Sequence, residues 1–442
     1  MVKNLFFVTF FLSVILLGIN NESFGQTEIC KWQFGKSGAV SITYDDGYIT
    51  QFKEAMPVMN KLNFPGTFFI VTGKLAGSRY TANFVGRPVK DIINETKSEI
   101  TNKKNFFERA SAVRFLGYKG TLDYFFKAGQ LYEGGKLSEA YRLMDSAYAK
   151  VRSGVLSPGV DVSDEAAATA QNSWAAFKEY ASHGHELACH SISHPFFAIL
   201  DEANMQYELE KSKEDILNHL GIEHAFSAEI PFGTEDSRAM KYALQTNLFE
   251  ALRNIMPDNF LHEINRGYKE APGISKKEYV QWQRGPLSKT PMSLMKSWVD
   301  TLLEHDNIWL VLVFHGVDNV GWEPLKHEDL ATYFQYIKDK EDKLWVATFK
   351  DVTKYMRERM HVKVNSVKGD NKITVSLNHS LDQAVYNLPL TLKTYVLPGW
   401  NNEVTIKQGD QTKQVQILKD NKGSYVLFQA IPNTSAVELS GN

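Results

Sequence analysis

Short apolar runs alternate with amphipathic stretches along most of this 442-residue chain. Runs at 39–44, 66–72, 186–189, 226–230, 249–253, 308–314 and 344–349 are short and rich in apolar residues, so they read as buried strands. Between them, residues 48–62, 174–182, 202–220 and 325–340 space their apolar positions along one helix face. Strand followed by helix, repeated, predicts a parallel α/β architecture. Beyond residue 360 the pattern changes. Residues 362–367, 372–377, 388–396, 403–407, 413–418 and 424–428 alternate apolar and polar positions, with Gly, Asn and Asp turns between them. These last 80 or so residues, 361–442, read as a small antiparallel β-sandwich.

One stretch breaks the rhythm. Residues 74–172 are rich in Ala, Lys, Glu and Tyr and read as a helical insertion. Within it, residues 128–140 look like half of a tetratricopeptide unit. A single repeat cannot build a solenoid, so a helical cap at the mouth of the α/β unit is expected. Ser157-Pro158-Gly159 and the acidic residues of 161–165 mark the return of the chain.

The N-terminus has the layout of an export signal: Lys3, an apolar run over 5–19, then polar residues. Ser23 and Gly25 are small residues at the −3 and −1 positions of a cleavage site, predicting residues 1–25 as signal peptide and a mature start at Gln26. The run is too short for a comfortable membrane span, so no stable span is expected after cleavage. Export permits a disulfide between the two cysteines, Cys30 and Cys189. Cys189 lies inside a presumed strand, however, and a buried free thiol is the favoured reading.

Composition bounds the rest. Apolar content of 43% and charge of 23% fit an ordinary globular protein of two or three domains. A net charge of −2 offers no basic field for nucleic acid and no polybasic membrane patch.

The candidate chemistry sits at the ends of the apolar runs. Thr43-Tyr44-Asp45-Asp46-Gly47 closes the first run with two adjacent carboxylates. Each raises the other's pKa, and a bound cation relieves that cost. His190 and His194 provide two imidazoles four residues apart. Two imidazoles with one carboxylate form the three-ligand set of a catalytic zinc-type site, leaving the second carboxylate as a base. His183 and His185 precede their strand, at the opposite end from Asp46, and read as structural, as does Glu186.

These motifs resemble the polysaccharide deacetylase (NodB-homology) family of carbohydrate esterases. The family's Thr-Phe-Asp-Asp-Gly stands here as Thr43-Tyr44-Asp45-Asp46-Gly47, and its His-Ser/Thr-x-x-His as His190-Ser191-Ile192-Ser193-His194. Arg-x-Pro-Tyr/Phe-Gly is partly kept as Glu229-Ile230-Pro231-Phe232-Gly233, and a final strand ends in His315. The resemblance implies a distorted (β/α) barrel of fewer than eight units over 26–360, interrupted by the insertion at about 74–172. It implies Asp46, His190 and His194 as metal ligands, Asp45 as catalytic base and His315 as acid. Adjacent residues on an extended chain point opposite ways, which would let Asp45 and Asp46 divide those tasks.

The same resemblance sets Pro231, Phe232 and Gly233 as a groove wall, with the Phe232 amide facing the oxyanion. Trp282 and Trp322 are expected against a sugar ring or in the core, and Asp318 is a candidate to orient His315. Zinc is the expected metal, with cobalt, nickel or manganese as substitutes. The expected activity is exported, periplasmic or secreted, metal-dependent deacetylation of an acetylated oligo- or polysaccharide. N-acetyl groups are the first expectation and O-acetyl groups a variant. Glu229 stands where the family has an arginine steadying the catalytic aspartate; Arg253, Arg266 and Arg284 are the possible replacements. That departure motivates the alternative of a catalytically weak carbohydrate-binding protein that keeps the fold and the metal. For the C-terminal sandwich, Tyr395 and Trp400 are candidate sugar platforms, against the favoured reading of a packing domain.

Overall fold

The computed structural model describes residues 27–162, 164–234, 236–245, 248–254, 263–267 and 277–441. The expected signal peptide lies outside the described residues.

The described residues begin with a short strand, β1 (Thr27–Ile29), and then build a parallel sheet from β2 (Gly38–Tyr44), β3 (Thr67–Ile70), β4 (Glu186–Cys189), β5 (Ser227–Ala228), β6 (Ala251–Leu252), β7 (Ile264–Gly267), β8 (Val280–Arg284), β9 (Ile308–Phe314) and β10 (Leu344–Val346). Eight of these lie in the order β6-β5-β4-β3-β2-β9-β8-β7, and β10 pairs with the start of β2. The sheet curls into a distorted barrel, as expected. Every pairing in it is parallel, so the motif-bearing segments leave the strands at one common end.

Side chains alternate across this sheet. Val40, Ile42 and Tyr44 face the outer core beneath the helices. Ala39, Phe69, Ala188 and Trp309 face the inner core instead. The helices are α1 (Met56–Lys61, continuing from a π-helical turn at Gln51–Ala55), α2 (Val89–Glu95), α3 (Phe106–Arg114), α4 (Thr121–Glu133), α5 (Leu137–Arg152), α6 (Asp164–Thr169), α7 (Trp174–Ser182), α8 (Glu202–Leu220), α9 (Ser237–Gln245), α10 (Met292–Leu303), α11 (His327–Lys338) and α12 (Phe349–His361). The last of these packs Phe349, Val352 and Met356 into the inner core.

Helices α2 to α7 all lie between β3 and β4. Helices α4 and α5 form one hairpin, packed on α3, where the tetratricopeptide-like stretch falls.

The C-terminal strands are β11 (Lys363–Lys368), β12 (Ile373–Asn378), β13 (Leu390–Tyr395), β14 (Glu403–Gln408), β15 (Gln411–Gln416), β16 (Leu418–Asp420), β17 (Gly423–Ala430) and β18 (Val437–Gly441). They form two antiparallel sheets, β1-β13-β17-β16 and β11-β12-β18-β14-β15, around a shared apolar core. One strand is a surprise: β1 pairs with β13, Thr27 opposite Thr394, so the first described residues belong to the C-terminal sheets and not to the barrel.

Trp400 is buried in that core and its indole N–H donates to Asn371 Oδ1 at 2.8 Å, so it is no sugar platform. Tyr395 is half-buried with its hydroxyl on Asp420. Both cysteines are free thiols, and burial pushes each up to about 11.

Candidate metal and catalytic site

Motif loops leave β2, β4, β5 and β9 at one end of the barrel. After β2, Asp46 and Gly47 take left-handed φ angles of 74° and 75°. The two aspartates are therefore separated by a sharp turn and not by strand alternation as the extended-chain argument held. At Gly47 a Cβ would sit 3.3 Å from Ile70 Cγ2, in a conformation that already favours glycine. After β4, Ser191 and His194 are also left-handed, with φ of 69° and 53°. These turns bring Asp46 Oδ1 to 3.1 Å from His194 Nε2 and 3.5 Å from His190 Nε2.

The donor set fits a metal. One ligand atom from each of Asp46, His190 and His194 lies within 4.8 Å of the others. A carbonyl can only accept, so the 2.7 Å contact of His190 Nδ1 to Glu229 O places a proton on Nδ1 and turns Nε2 toward Asp46, as the nitrogen that would face a cation. Burial alone would raise the Asp46 carboxyl, but His194 and His190 outweigh it and hold the group well below its ordinary range. A carboxylate that stays ionised in a buried site is what a cation needs.

Asp45 sits beside this cluster with its own partner. Arg253 grips it bidentately, Nη1 to Oδ1 at 2.7 Å and Nη2 to Oδ2 at 2.5 Å, and also donates to Thr43 Oγ1 at 3.0 Å. Burial would raise the Asp45 carboxyl; the guanidinium and His315 reverse this and lower it. Arg253 therefore supplies the cation missing from position 229. Glu229 in turn lies 3.2 Å from Arg253 Nη2 and accepts from Asn254 Nδ2 at 2.6 Å. Its carboxyl is raised, by burial first and by Asp45 as well, against the pull of Arg253.

His315 follows directly on β9, with Nε2 3.4 Å from Asp45 Oδ2. Gln51 ties the two strand ends together, donating to Asp45 O at 2.6 Å and His315 O at 2.8 Å. Burial lowers the His315 imidazole despite the opposing charges of Asp45 and Asp46.

Phe232, with φ of 63°, stacks on Phe196 at 4.2 Å and lies 4.7 Å from the His194 ring, forming a wall beside the cluster. Its neighbours Pro231 and Gly233 complete the same turn. Trp322 is 47% exposed and meets the His315 ring edge-on at 4.6 Å, so it remains available to a ligand.

Other expectations are corrected. Trp282 is 1% exposed in the outer core beneath the helices, on the opposite face from the barrel interior. Asp318 does not touch His315; it accepts from the N–H and Nδ1 of His327, at 3.0 and 2.6 Å, at the start of α11. Arg266 donates to Gly233 O and Arg284 to Asn265, so neither of the other two arginines reaches Asp45. His185 is structural, as expected: Nδ1 accepts from Gly66 N–H and Nε2 donates to Asn60, with burial lowering it to about 4. His183 caps α7, and Glu186 is buried against Thr67 and the start of α12.

Residues 35–102 and 162–250 match the family model of polysaccharide deacetylase. The chain carries a polysaccharide deacetylase domain. The unmatched gap of 103–161 falls within the helical insertion between β3 and β4. The domain's likeness extends to a gellan lyase of a Bacillus species, 24% identical over 284 residues and 61% of this chain. That stretch is 11% of the relative's own length, so the two share one segment of a much larger protein. Solved structures similar to the chain include a family 4 carbohydrate esterase from Bacillus anthracis, at 13% identity, 72% and 83% coverage and a TM-score of 0.31. The family 4 carbohydrate esterase PdaA from Bacillus subtilis matches at 13% identity, 72% and 80% coverage and a TM-score of 0.31. Among the described residues no helix is long and apolar enough to cross a membrane.

Proposed function

We propose that this chain is an exported, metal-dependent deacetylase that hydrolyses N-acetyl groups, with O-acetyl groups as a variant, on an oligo- or polysaccharide. The observation that carries this reading is the meeting of two separate units at one mouth: the Asp46–His190–His194 donor set, and the Arg253–Asp45–His315 group beside it. A metal alone would need only the first.

Asp46, His190 and His194 would hold the metal, with zinc the default for two nitrogens and one oxygen and Co2+, Ni2+ or Mn2+ able to use the same donors. When bound, it supplies Lewis acidity to the acetyl carbonyl and to an incoming water. Asp45 takes the proton of that water, its two oxygens oriented by the paired N–H groups of Arg253. The Phe232 N–H donates to the oxygen that gains charge. His315, whose Nε2 lies 3.4 Å from Asp45 Oδ2, would receive the proton that Asp45 takes from the water and give it to the departing nitrogen. Phe232 and Trp322 stand on two sides of the mouth as walls for a sugar ring.

We read the chain as signal peptide over 1–25, deacetylase barrel over 26–360 with its insertion at 74–172, and an accessory sandwich over 361–442. The accessory unit borrows β1. Periplasmic or secreted location follows from the leader. The binding-protein alternative loses its main support, because Arg253 restores the cation that Glu229 displaced.

Acetate release across chitooligosaccharides, peptidoglycan fragments and acetylated xylan tests the reading. Release from at least one, abolished by chelation and restored by zinc, is expected. Full metal content with no release from any of them would refute it.

A further inference from the structure

Two loops that carry the candidate ligands are held in strained conformations, and the segment inserted between β3 and β4 reaches both. In the loop from His190 to His194, Ser191 and His194 are left-handed non-glycine residues. Such residues persist only where their surroundings over-determine them. Here Glu208 of α8 accepts from the N–H groups of Ile192 and Ser193 at 2.9 and 2.8 Å, and from Ser193 Oγ at 2.5 Å. From the other side, Arg114 at the end of α3 donates Nη2 to Ser193 Oγ at 3.0 Å and to the Ser193 carbonyl. Ser193, between the two histidines, is thus gripped by a carboxylate and a guanidinium at once.

The Asp46 loop is held in the same way. Buried Asn172, in the return between α6 and α7, donates Nδ2 to Gly47 O at 2.7 Å. Thr169 Oγ1 lies 3.4 Å from Asp46 O. A third contact reaches the groove wall, where Phe126 of α4 packs on Phe232 with ring centres 5.7 Å apart. The insertion therefore touches the Asp46 loop, the His190–His194 loop and the Phe232 turn, each through a different element.

We propose that Arg114 and Asn172 are positioning residues for the metal centre, making the inserted helical segment part of its framework. The inference rests on the metal reading above. Neither residue touches the metal position. Each fixes the backbone of a ligand-bearing loop through a carbonyl oxygen, so that Asp46, His190 and His194 are converged before a cation arrives. Pre-converged donors lose less freedom on binding, and loss of such outer contacts weakens metal affinity by about 10–100-fold.

The test is zinc affinity of the full chain, by competition with a chromophoric chelator, for the parent, Arg114→Met, Arg114→Lys, Asn172→Ala and the surface control Lys127→Ala. Arg114→Met and Asn172→Ala should each bind zinc about 10-fold or more weaker, and Arg114→Lys should recover part of the loss. The visible absorption of the Co2+-loaded variants should shift, while the Tm of the metal-free forms stays close to the parent's. Ser193→Ala removes the hydroxyl between Arg114 and Glu208 without deleting a buried charge. It should weaken zinc in the same direction even if Arg114→Met lowers the metal-free Tm. A parent that binds zinc tightly, with all of these variants within threefold of it, overturns the inference and leaves the metal site standing. A parent that binds no zinc overturns both.

Discussion

Removing Arg253 tests the relocated cation directly. Arg253→Met keeps much of the side chain's length and apolar stem but deletes the bidentate grip on Asp45, the bond to Thr43 and the contact with Glu229. Two buried carboxylates, 6% and 1% exposed at their side chains, would then face each other with no guanidinium between them. Breaking a buried pair from one side costs about 3–5 kcal/mol, because the remaining charge keeps its desolvation penalty. Glu229, whose carboxyl is already raised, can take up a proton and soften this, so the lower end of that range is expected. The double variant Arg253→Met/Glu229→Gln removes the second acid as well. Residues in one network couple by about 0.5–3 kcal/mol, so the double variant should recover stability by an amount in that range relative to Arg253→Met. Activity should not recover. Asp45 stays unoriented in both, and misplacing a reacting group by about 1 Å costs about 10²-fold in rate. Chemical denaturation and initial rates of acetate release on the same preparations separate the two effects. If Arg253→Met costs under about 1 kcal/mol and keeps near-parental kcat, the relocation argument fails.

Three further outcomes follow from the same geometry. His190→Ala and His194→Ala should purify with far less metal than the parent, measured by elemental analysis; equal content would remove both from the ligand set. Asp45→Asn and His315→Ala should keep near-parental metal yet lower kcat by about 10²-fold or more, with His315→Ala worst on amides, whose leaving group most needs a proton. Burial pushes the Glu358 carboxyl up from 4.5 to about 7, against the Leu388 N–H that donates to it and the charge of Lys354, with His379 Nε2 3.7 Å away. A raised folded pKa gives stability that is full below about 4.5 and is lost as pH climbs to about 7, so parent melts at pH 4.5 and 8 should differ. Glu358→Gln should flatten that dependence and exceed the parent's stability at pH 8 by up to roughly 3 kcal/mol; an unchanged pH slope would contradict it.

Much of the barrel is legible in the chain. The runs at 186–189 and 308–314 coincide with β4 and β9, and the helices over 174–182 and 202–220 with α7 and α8. These segments are apolar or periodic enough for pattern alone to define them. Strand β8, Val280–Arg284, is hidden because its inner face carries Gln281 and Gln283. Those glutamines are at home under a polar mouth, since Gln283 donates to Gln281 and to Arg253 O, yet they erase the apolar signature. Strand β1 is hidden for another reason: it pairs with β13 across more than 360 residues, and no local signal reports so distant a partner. Glu208, Arg114 and Asn172 are equally silent, being ordinary helix and loop residues until folding brings them to the ligand loops.

The relocation of the arginine shows most clearly what motif reading loses. Position 229 follows β5 and position 253 follows β6, 24 residues apart in sequence. The two strands pair in parallel with Ser227 opposite Ala251 and Ala228 opposite Leu252. The next step of that register sets Glu229 opposite Arg253. Neighbouring strand positions on one face of a sheet lie within side-chain contact, so a cation at either site can reach Asp45. What the chemistry constrains is the charge facing Asp45, and the strand that delivers it is free to change. A sequence motif records the strand; the sheet records the charge. Glu229 in the arginine's place is tolerated because Arg253 Nη2 lies 3.2 Å from it, Asn254 donates to it, and its raised carboxyl can take up a proton. On this argument Glu229 and Arg253, side by side on paired strands, form a single feature facing Asp45.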